Sequence, residues 1–172
     1  MNKPFPYRKI LIVGCGGAGK STFARKIGTK FTIPVVHLDR LWWLPNWVNR
    51  SKEEFDEMLQ NELKKPAWIM DGNFFRTFEL RLTYADFCIF LDFDTETCLK
   101  NVYARAEEFR GKTRPDMTEG CIERIDEEFE QWIRNYQTQT RPAMLEILGG
   151  SGVPHIAFKT REDTENWLNQ FY

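Results

Sequence analysis

The sequence predicts an α/β fold in which three layers, α/β/α, are built around a five-stranded parallel sheet. Short apolar runs alternate with longer segments of helical periodicity, as expected of successive β-α-β units. The runs are apolar along their whole length, which is typical of parallel strands that are buried on both faces. In chain order the predicted strands are 9–13, 35–38, 68–70, 87–92 and 153–158.

Length and charge limit what the chain can be. With 172 residues, 42% of them hydrophobic, it is long enough for one core and too short for two ordinary domains. Basic and acidic side chains number 24 and 25, so a broad basic surface for DNA is not supported by charge. The sequence shows neither a signal segment nor an apolar run of membrane-spanning length, which predicts a cytoplasmic protein with no membrane partner.

Helix signals separate the predicted strands. Ser51 and Glu54 form a capping box that starts an amphipathic helix, and Pro66 ends it. A second helix follows the fourth strand, with Asp94 or Thr95 as its cap. A third apolar stripe runs over 122–136, Pro142 is expected to kink or restart that helix, and the glycine-rich segment 149–152 releases the chain into the fifth strand.

The four cysteines are scattered without C-x-x-C spacing. This pattern predicts reduced, structural thiols rather than a disulfide framework or a metal site. They are Cys15, Cys88, Cys98 and Cys121.

The segment Gly14–Ser21 reads GCGGAGKS and fits the pattern G-x-x-x-x-G-K-[ST] between a predicted strand and a predicted helix. Such a P-loop wraps its backbone N–H groups around phosphate oxygens, and only glycine allows that close approach. Lys20 is predicted to reach the outer phosphates and Ser21 to hold Mg²⁺, so ATP and Mg²⁺ are the expected cofactors. The alternative is a glycine-rich turn that binds nothing. The predicted nucleotide-binding residues are Gly14, Gly16, Gly17, Ala18, Gly19, Lys20, Ser21 and Thr22.

Two aspartates follow neighbouring strands, where parallel sheets bind their ligands. Asp71 ends the third strand and is predicted to contact the Mg²⁺ shell through water and to line the substrate site. The alternative role for Asp71 is a helix cap. Asp39 follows the second strand and is predicted to bind the acceptor, either as a catalytic base or as an orienting group.

The turn after the third strand resembles that of adenylate kinase-like nucleoside and nucleotide kinases. Those kinases carry an Asp-Gly-aromatic-Pro-Arg sequence there, which Asp71, Gly72 and Arg76 match, with Asn73 inserted and the proline missing. The resemblance implies an adenylate kinase-like P-loop fold and nucleotide-dependent phosphoryl transfer.

The fourth strand adds to this resemblance. It ends in Leu91 and Asp92, as in those kinases, and two lid arginines should follow at fixed distances. Arg105 stands at the second of these positions, whereas Asn101 stands at the first, which leaves the nucleobase preference open.

A narrower resemblance extends over essentially the whole chain. The set of motifs is similar to that of the small bacterial P-loop proteins called DNA topology modulation proteins, and this family name implies a role around DNA topology. The matching segments are HLDRLWW at 37–43, PNW at 45–47, DGNF at 71–74, FRGKTRPDMTEGC at 109–121, and Trp132, Asn135 and Tyr136.

Acceptor binding is predicted for a helical insertion at about 40–66 and for the arginines near the third strand. Arg76 or Arg81 is expected to hold an acceptor phosphate through paired hydrogen bonds, with Arg40 as a weaker candidate. The tryptophan-rich segment 41–47 is either a flat wall against a ring or a small satellite core under the following helix.

The basic stretch FRGKTRPDMTEG is predicted to belong to a short lid at about 106–121, because this fold carries its lid after the fourth strand. Arginines that arrive when a lid closes align phosphates and neutralise their charge. Arg124 and Arg134 are expected to support them, although Arg134 can also pair with nearby acidic residues. The catalytic residues predicted overall are Lys20, Asp39, Arg105, Arg110 and Arg114.

Together these features predict an ATP-dependent phosphotransferase that moves the γ-phosphate of Mg-ATP to a nucleoside monophosphate or a similar small acceptor. The alternative is a nucleotide-binding regulator of DNA topology or gene expression that has no small-molecule kinase activity. The near-zero net charge favours the first hypothesis.

Overall fold

The computed structural model describes residues 3–172. Its strands, in chain order, are β1 (Lys9–Gly14), β2 (Val35–His37), β3 (Trp43–Leu44), β4 (Val48–Asn49), β5 (Trp68–Asp71), β6 (Phe87–Leu91) and β7 (His155–Phe158). Its α-helices are α1 (Lys20–Phe31), α2 (Leu38–Trp42), α3 (Lys52–Leu63), α4 (Phe78–Tyr84), α5 (Thr95–Glu108), α6 (Glu127–Gln139), α7 (Arg141–Gly150) and α8 (Arg161–Leu168).

Five of the strands form one parallel sheet in the order β2-β5-β1-β6-β7. Strand β1 therefore lies in the middle, and its neighbours β5 and β6 are buried along their whole length. The predicted fold class, an α/β P-loop fold with a five-stranded parallel sheet, is confirmed. The carboxyl ends of β1, β2 and β5 meet at one edge of the sheet, which is called the carboxyl edge below.

The helices cover the sheet much as their sequence signals predict. The capping box of α3 is present, because the Ser51 hydroxyl accepts from the Glu54 N–H and the Glu54 carboxylate accepts from the Ser51 N–H, both at 3.2 Å. Asp94 is the cap of α5. Helix α6 ends at Gln139 and α7 restarts with Pro142 in its first turn, as predicted.

Three boundaries differ from the predictions by more than one residue. Helix α6 begins at Glu127 rather than near 122, because the Asp126 carboxylate accepts from the Phe129 N–H at 2.8 Å and caps the helix there. Strand β7 begins at His155, two residues late, since Pro154 has no N–H to donate. Helix α7 continues through Gly150, so only the end of the glycine-rich segment leaves the helix.

The insertion predicted at about 40–66 is helical only in part. Helix α3 fills its second half, whereas the first half contains the end of α2 and the hairpin β3-β4. Asn46 and Trp47 form the hairpin turn with φ of 63° and 60°, a conformation that asparagine tolerates better than most residues. The hairpin, α2 and the short helix α4 were not predicted.

Two further observations concern the chain as a whole. All four cysteines are buried and free. Within residues 3–172, helices of the length and apolar character needed to cross a membrane are absent.

Candidate functional site

The residues that follow β1, β2 and β5 come together at the carboxyl edge. Strand β5 lies between β2 and β1, so Asp71 stands between the P-loop and the start of α2. Asp39 lies in the first turn of α2, directly after β2. The topology therefore places the predicted P-loop, the predicted metal ligand and the predicted acceptor-binding aspartate beside one another.

The P-loop has the backbone shape that its glycines allow. Gly17 and Gly19 both have a φ of 84°, in the left-handed region that favours glycine. A Cβ atom at Gly17 would lie 2.2 Å from the Cys98 carbonyl oxygen of α5, whereas a Cβ atom at Gly19 would meet open space. The loop thus packs against α5 on one side, and at Gly19 it opens at the N-terminus of α1, where free N–H groups favour an anion.

Lys20 folds back over this loop. Its Nζ donates to the carbonyl oxygens of Gly14 at 2.9 Å and Cys15 at 2.8 Å. Burial lowers the pKa of Lys20, and the nearby carboxylates of Asp71 and Asp39 act in the opposite direction. A partly buried ammonium whose hydrogen bonds go to neutral carbonyls should attract phosphate oxygens strongly.

Two asparagines that were not predicted as site residues brace the P-loop. The Asn73 amide donates to the Gly14 carbonyl at 2.7 Å and accepts from the Gly14 N–H at 3.0 Å. Asn101 donates to the Gly17 carbonyl at 2.9 Å, from the position where the resemblance leads one to expect a lid arginine. Asn73 is the residue inserted into the turn after β5, which is the third predicted strand. Its two hydrogen bonds to Gly14 give it a structural role there.

Asp71 is buried and paired with a second buried side chain. His37 is its direct neighbour across the β2-β5 register, and His37 Nδ1 lies 2.6 Å from Asp71 Oδ2. The sequence signal that could have identified His37 is a polar residue at the carboxyl end of a predicted strand.

Asp39 lies among four other charges. Burial raises its pKa, Asp71 and Asp116 raise it further, and Arg114 and Lys20 oppose the shift. Three carboxylates and two cations thus act on one another at the carboxyl edge. A carboxyl group with a raised pKa is a better proton acceptor than an ordinary aspartate.

The loop between α5 and α6, residues 109–126, is called the arginine loop here. Glu123 lies at its base with a side chain only 2% exposed, and it is shared by two of the predicted catalytic arginines. Its carboxylate accepts from Arg105 Nε at 3.2 Å and lies 2.7 Å from Arg114 Nε. Asp116 lies 3.5 Å from Arg114 on the other side. Neither Glu123 nor its role was predicted.

The arginine loop contacts the β3-β4 hairpin at several points. Thr118 donates to the Trp43 carbonyl at 2.6 Å, and the Trp47 indole donates to the Ile122 carbonyl at 2.9 Å. Arg40 also donates to the Pro115 carbonyl. Between Arg40 and the loop lies an open groove of about 560 Å³, which Phe109 and Met117 also line. These contacts hold the loop next to the segment that follows Asp39.

Three predicted arginines are not available for a ligand at the carboxyl edge. Arg76 forms a paired salt bridge with Asp56 of α3, at 3.0 and 2.6 Å, on the protein surface. Arg110 is largely exposed and pairs with Glu107. Arg81 is fully buried and is described next.

The Arg81 guanidinium is occupied by the turn after β5. It donates to the carbonyl oxygens of Gly72 at 3.1 Å, Phe74 at 3.3 Å, and Asn73. Burial lowers its pKa to about 10. In this arrangement Arg81 shapes the loop that carries Asn73, and its N–H groups donate to protein oxygens rather than pointing to an open ligand site.

The remaining predicted residues lie at the surface or in a small core. Arg134 pairs with Glu130 at 2.6 Å, which matches the alternative considered for it, and Arg124 stacks over Trp47 at 5.2 Å. Trp42 packs edge-on against Phe55 of α3, with ring centroids 5.6 Å apart. The satellite-core interpretation therefore describes Trp42 better than a free wall does.

The donor set at the carboxyl edge is compatible with Mg²⁺. Ser21 offers a hydroxyl and Asp71 a carboxylate, both of which are hard oxygen ligands. Groups of three or more His, Cys, Asp or Glu side chains able to hold a metal are absent from residues 3–172. In nucleotide sites Mg²⁺ takes most of its ligands from phosphates and water.

Among the comparisons with known proteins, only the one with solved structures gives matches, and these agree on the fold. The chain matches no protein-family model and no curated protein. Among solved structures it is similar to shikimate kinase from Acinetobacter baumannii in complex with shikimate, with a TM-score of 0.61 and 16% identity over 95% of this chain and 92% of that one.

Two further solved structures have the same fold. Deoxyadenosine kinase from M. mycoides with bound dATP has a TM-score of 0.54 and 15% identity, over 94% of this chain and 97% of that one. Shikimate kinase from Bacteroides thetaiotaomicron has a TM-score of 0.53 and 16% identity, over 96% of both chains. The fold is thus that of P-loop kinases, and these comparisons give no support to the DNA topology resemblance.

Proposed function

We propose that the protein is an ATP-dependent phosphotransferase that phosphorylates a small molecule. The observation that carries this proposal is the convergence of Lys20, Asp39, Asp71 and Arg114 at the carboxyl edge. Phosphoryl transfer requires little beyond alignment of the reactants, neutralisation of charge and exclusion of water, and this set of groups supplies the first two. The fold shared with shikimate kinase and deoxyadenosine kinase supports the same reaction class.

On the donor side we assign Mg-ATP to the P-loop. The N–H groups at the start of α1 and the Lys20 ammonium would bind the phosphates, while Ser21 and Asp71 would hold Mg²⁺, the latter through water. The metal ion would neutralise the phosphates during transfer. The neighbour with bound dATP supports a nucleotide donor, and the proposal includes an adenylate kinase-like preference for that donor.

On the acceptor side the geometry favours a hydroxyl group over a phosphate. Asp39 would accept the hydroxyl proton while the acceptor oxygen bonds to the γ-phosphorus and the bond to the ADP oxygen breaks. A nucleoside monophosphate already presents an ionised oxygen and needs no such base. The two arginines expected to hold its phosphate, Arg76 and Arg81, are occupied by Asp56 and by the turn carbonyls.

We further propose that the arginine loop, which overlaps the lid predicted at 106–121, is the lid. Arg105 and Arg114 would meet phosphates in the closed complex, and Arg110 would join them only after leaving Glu107. The hairpin and α3, within 40–66, would form the acceptor side of a single kinase domain. The four free cysteines fit a reducing, cytoplasmic location.

A nucleotide-binding regulator acting on DNA remains the alternative outcome. This alternative rests on the resemblance in sequence motifs. A formal net charge of −1 gives the protein little electrostatic attraction to DNA. Salt dependence separates the two, because DNA affinity that comes from phosphate contacts falls steeply as salt rises.

The experiment that tests the proposal measures ATP consumption by the purified chain with a panel of nucleosides, nucleotides, sugars and hydroxy acids. Binding to supercoiled DNA is measured in parallel at two salt concentrations. We expect one class of alcohol to raise ATP consumption above basal hydrolysis. If no acceptor does so while DNA binds in a salt-dependent way, the regulator is the correct function.

A further inference from the structure

His37 is a buried polar side chain for which the proposed reaction has so far given no role. It ends β2 at the carboxyl edge, and its side chain is 6% exposed. The chain has two histidines, and the other one, His155, lies exposed at the start of β7 with its ring against the carbonyl of Val153. The buried position of His37 beside the phosphate site therefore calls for an explanation of its own.

The contact between His37 and Asp71 is short and fully enclosed. Nδ1 of the imidazole lies 2.6 Å from Oδ2 of the carboxylate, and the Asp71 side chain is 3% exposed. An imidazole N–H that donates to a carboxylate at this separation makes a charge-assisted hydrogen bond. The two residues are also direct partners in the parallel register of β2 and β5, so the backbone itself fixes their approach.

This hydrogen bond restricts the Asp71 carboxylate. A free aspartate can rotate about its last side-chain bond, but here one oxygen is held by the imidazole. The other oxygen is then fixed in direction. Ligands of metal sites are commonly oriented by such partners, whose loss weakens metal binding or activity by about 10 to 100-fold.

Other charges face the same imidazole. Asp116 of the arginine loop lies within electrostatic range of His37, in addition to Asp71 on β5. Because Asp116 also contacts Arg114, the imidazole is influenced both by the carboxylate assigned to the metal shell and by a carboxylate of the proposed lid.

We propose that His37 is a positioning residue that orients Asp71 toward the Mg²⁺ of the bound nucleotide. This inference rests on the proposed use of Mg-ATP. It predicts that removing the hydrogen bond weakens metal binding to the protein–nucleotide complex and leaves metal-free nucleotide binding almost unchanged.

The test uses Mn²⁺ as the probe, with a non-hydrolysable ATP analogue, and measures bound Mn²⁺ by electron paramagnetic resonance. His37→Leu should weaken Mn²⁺ binding roughly tenfold or more, because the Asp71 carboxylate loses its partner. His37→Asn, whose amide N–H lies near the position of Nδ1, should retain most of the affinity. His155→Asn is the matched control and should bind Mn²⁺ as the wild type does.

Folding of each variant is checked by circular dichroism. If His37→Leu does not fold, the comparison moves to His37→Gln, whose amide is one methylene longer than that of His37→Asn and should orient Asp71 less well. Equal Mn²⁺ affinity in the wild type and a folded His37→Leu, or in the Asn and Gln variants, overturns the inference. A wild type that binds no Mn²⁺ with the nucleotide overturns the proposed function, and the inference with it.

Discussion

The side-chain amide of Asn73 forms two hydrogen bonds with the backbone of Gly14, one to its carbonyl at 2.7 Å and one from its N–H at 3.0 Å. Gly14 is the first residue of the P-loop, and Asn73 belongs to the turn after β5. The turn that follows the proposed metal ligand Asp71 is thereby joined to the loop that carries the proposed phosphate ligand. The shape of the P-loop thus depends on a side chain from the turn after a neighbouring strand.

Replacing Asn73 with alanine should loosen the P-loop. The variant leaves the Gly14 N–H without this partner, and we expect it to lower the free energy of unfolding by about 1 to 3 kcal/mol and to weaken ATP binding. Urea denaturation and calorimetric titration with ATP measure the two effects. Asn135→Ala, at a partly exposed position on α6, is the control. Unchanged ATP affinity in Asn73→Ala would show that the loop keeps its shape without the amide.

Glu123 should be needed to hold the arginine loop in place. In Glu123→Gln, the buried Arg114 keeps only Asp116 as a charged partner, so the free energy of unfolding should fall by roughly 3 kcal/mol. Phosphoryl transfer should fall as well, because Arg105 and Arg114 lose their shared anchor. The control is Glu119→Gln on the exposed part of the same loop. A Glu123→Gln protein as stable and active as the control would contradict the role assigned to Glu123.

Arg81 should act on stability rather than on substrate binding. Arg81→Met removes the donor to three turn carbonyls, and we expect a loss of about 3 kcal/mol in the free energy of unfolding. Arg76→Met breaks only an exposed pair with Asp56 and should cost less than about 1 kcal/mol. Thermal and urea denaturation compare the two variants. Equal losses would mean that the burial of Arg81 has little energetic consequence.

The pKa of Asp39 predicts opposite effects of pH on activity and stability. Burial raises this pKa above its ordinary value of 3.8, so the folded protein binds a proton there more readily than the unfolded chain does. The contribution of Asp39 to stability is therefore present at low pH and is lost as pH rises through the folded-state pKa. Turnover should rise over the same interval, because the base must be ionised.

Asp39→Asn checks both effects. The variant should lose the acidic limb of the pH–rate profile together with most of the turnover, yet at neutral pH it should be at least as stable as the wild type. Denaturation curves and rates are measured across the acidic range. A variant that keeps both its turnover and the acidic limb would exclude Asp39 as the base.

The fold could be predicted from the sequence because its strongest signals are local. The buried strands are continuous apolar runs. The capping box at Ser51 and the helix restart at Pro142 depend only on residues a few positions away in the sequence. The hairpin β3-β4 could not be predicted in this way. Its two-residue strands are too short to show a period, and its position depends on contacts such as that between Trp47 and Ile122 of a distant loop.

In the candidate site, too, some residues could be predicted from local sequence and others could not. The P-loop residues and the two aspartates follow from motif and strand position, whereas the partners of the arginines depend on side chains far away in the chain. No local sequence pattern indicates that Arg76 pairs with Asp56 on α3, or that Glu123 lies between two arginines. His37 and Asn73 lie within the matching segments 37–43 and 71–74, but their roles depend on which strands are neighbours in the sheet.

Transfer of the γ-phosphate tests the central claim most directly. The measurement incubates the wild type and Lys20→Ala with γ-labelled Mg-ATP and a mixed pool of small alcohols and follows where the label goes. We predict a labelled organic phosphate with the wild type, and its loss in Lys20→Ala by a factor of about 10³ or more, since this ammonium neutralises the transferred phosphoryl group. Label that appears only as inorganic phosphate, or an equal yield from both proteins, would contradict the proposed kinase.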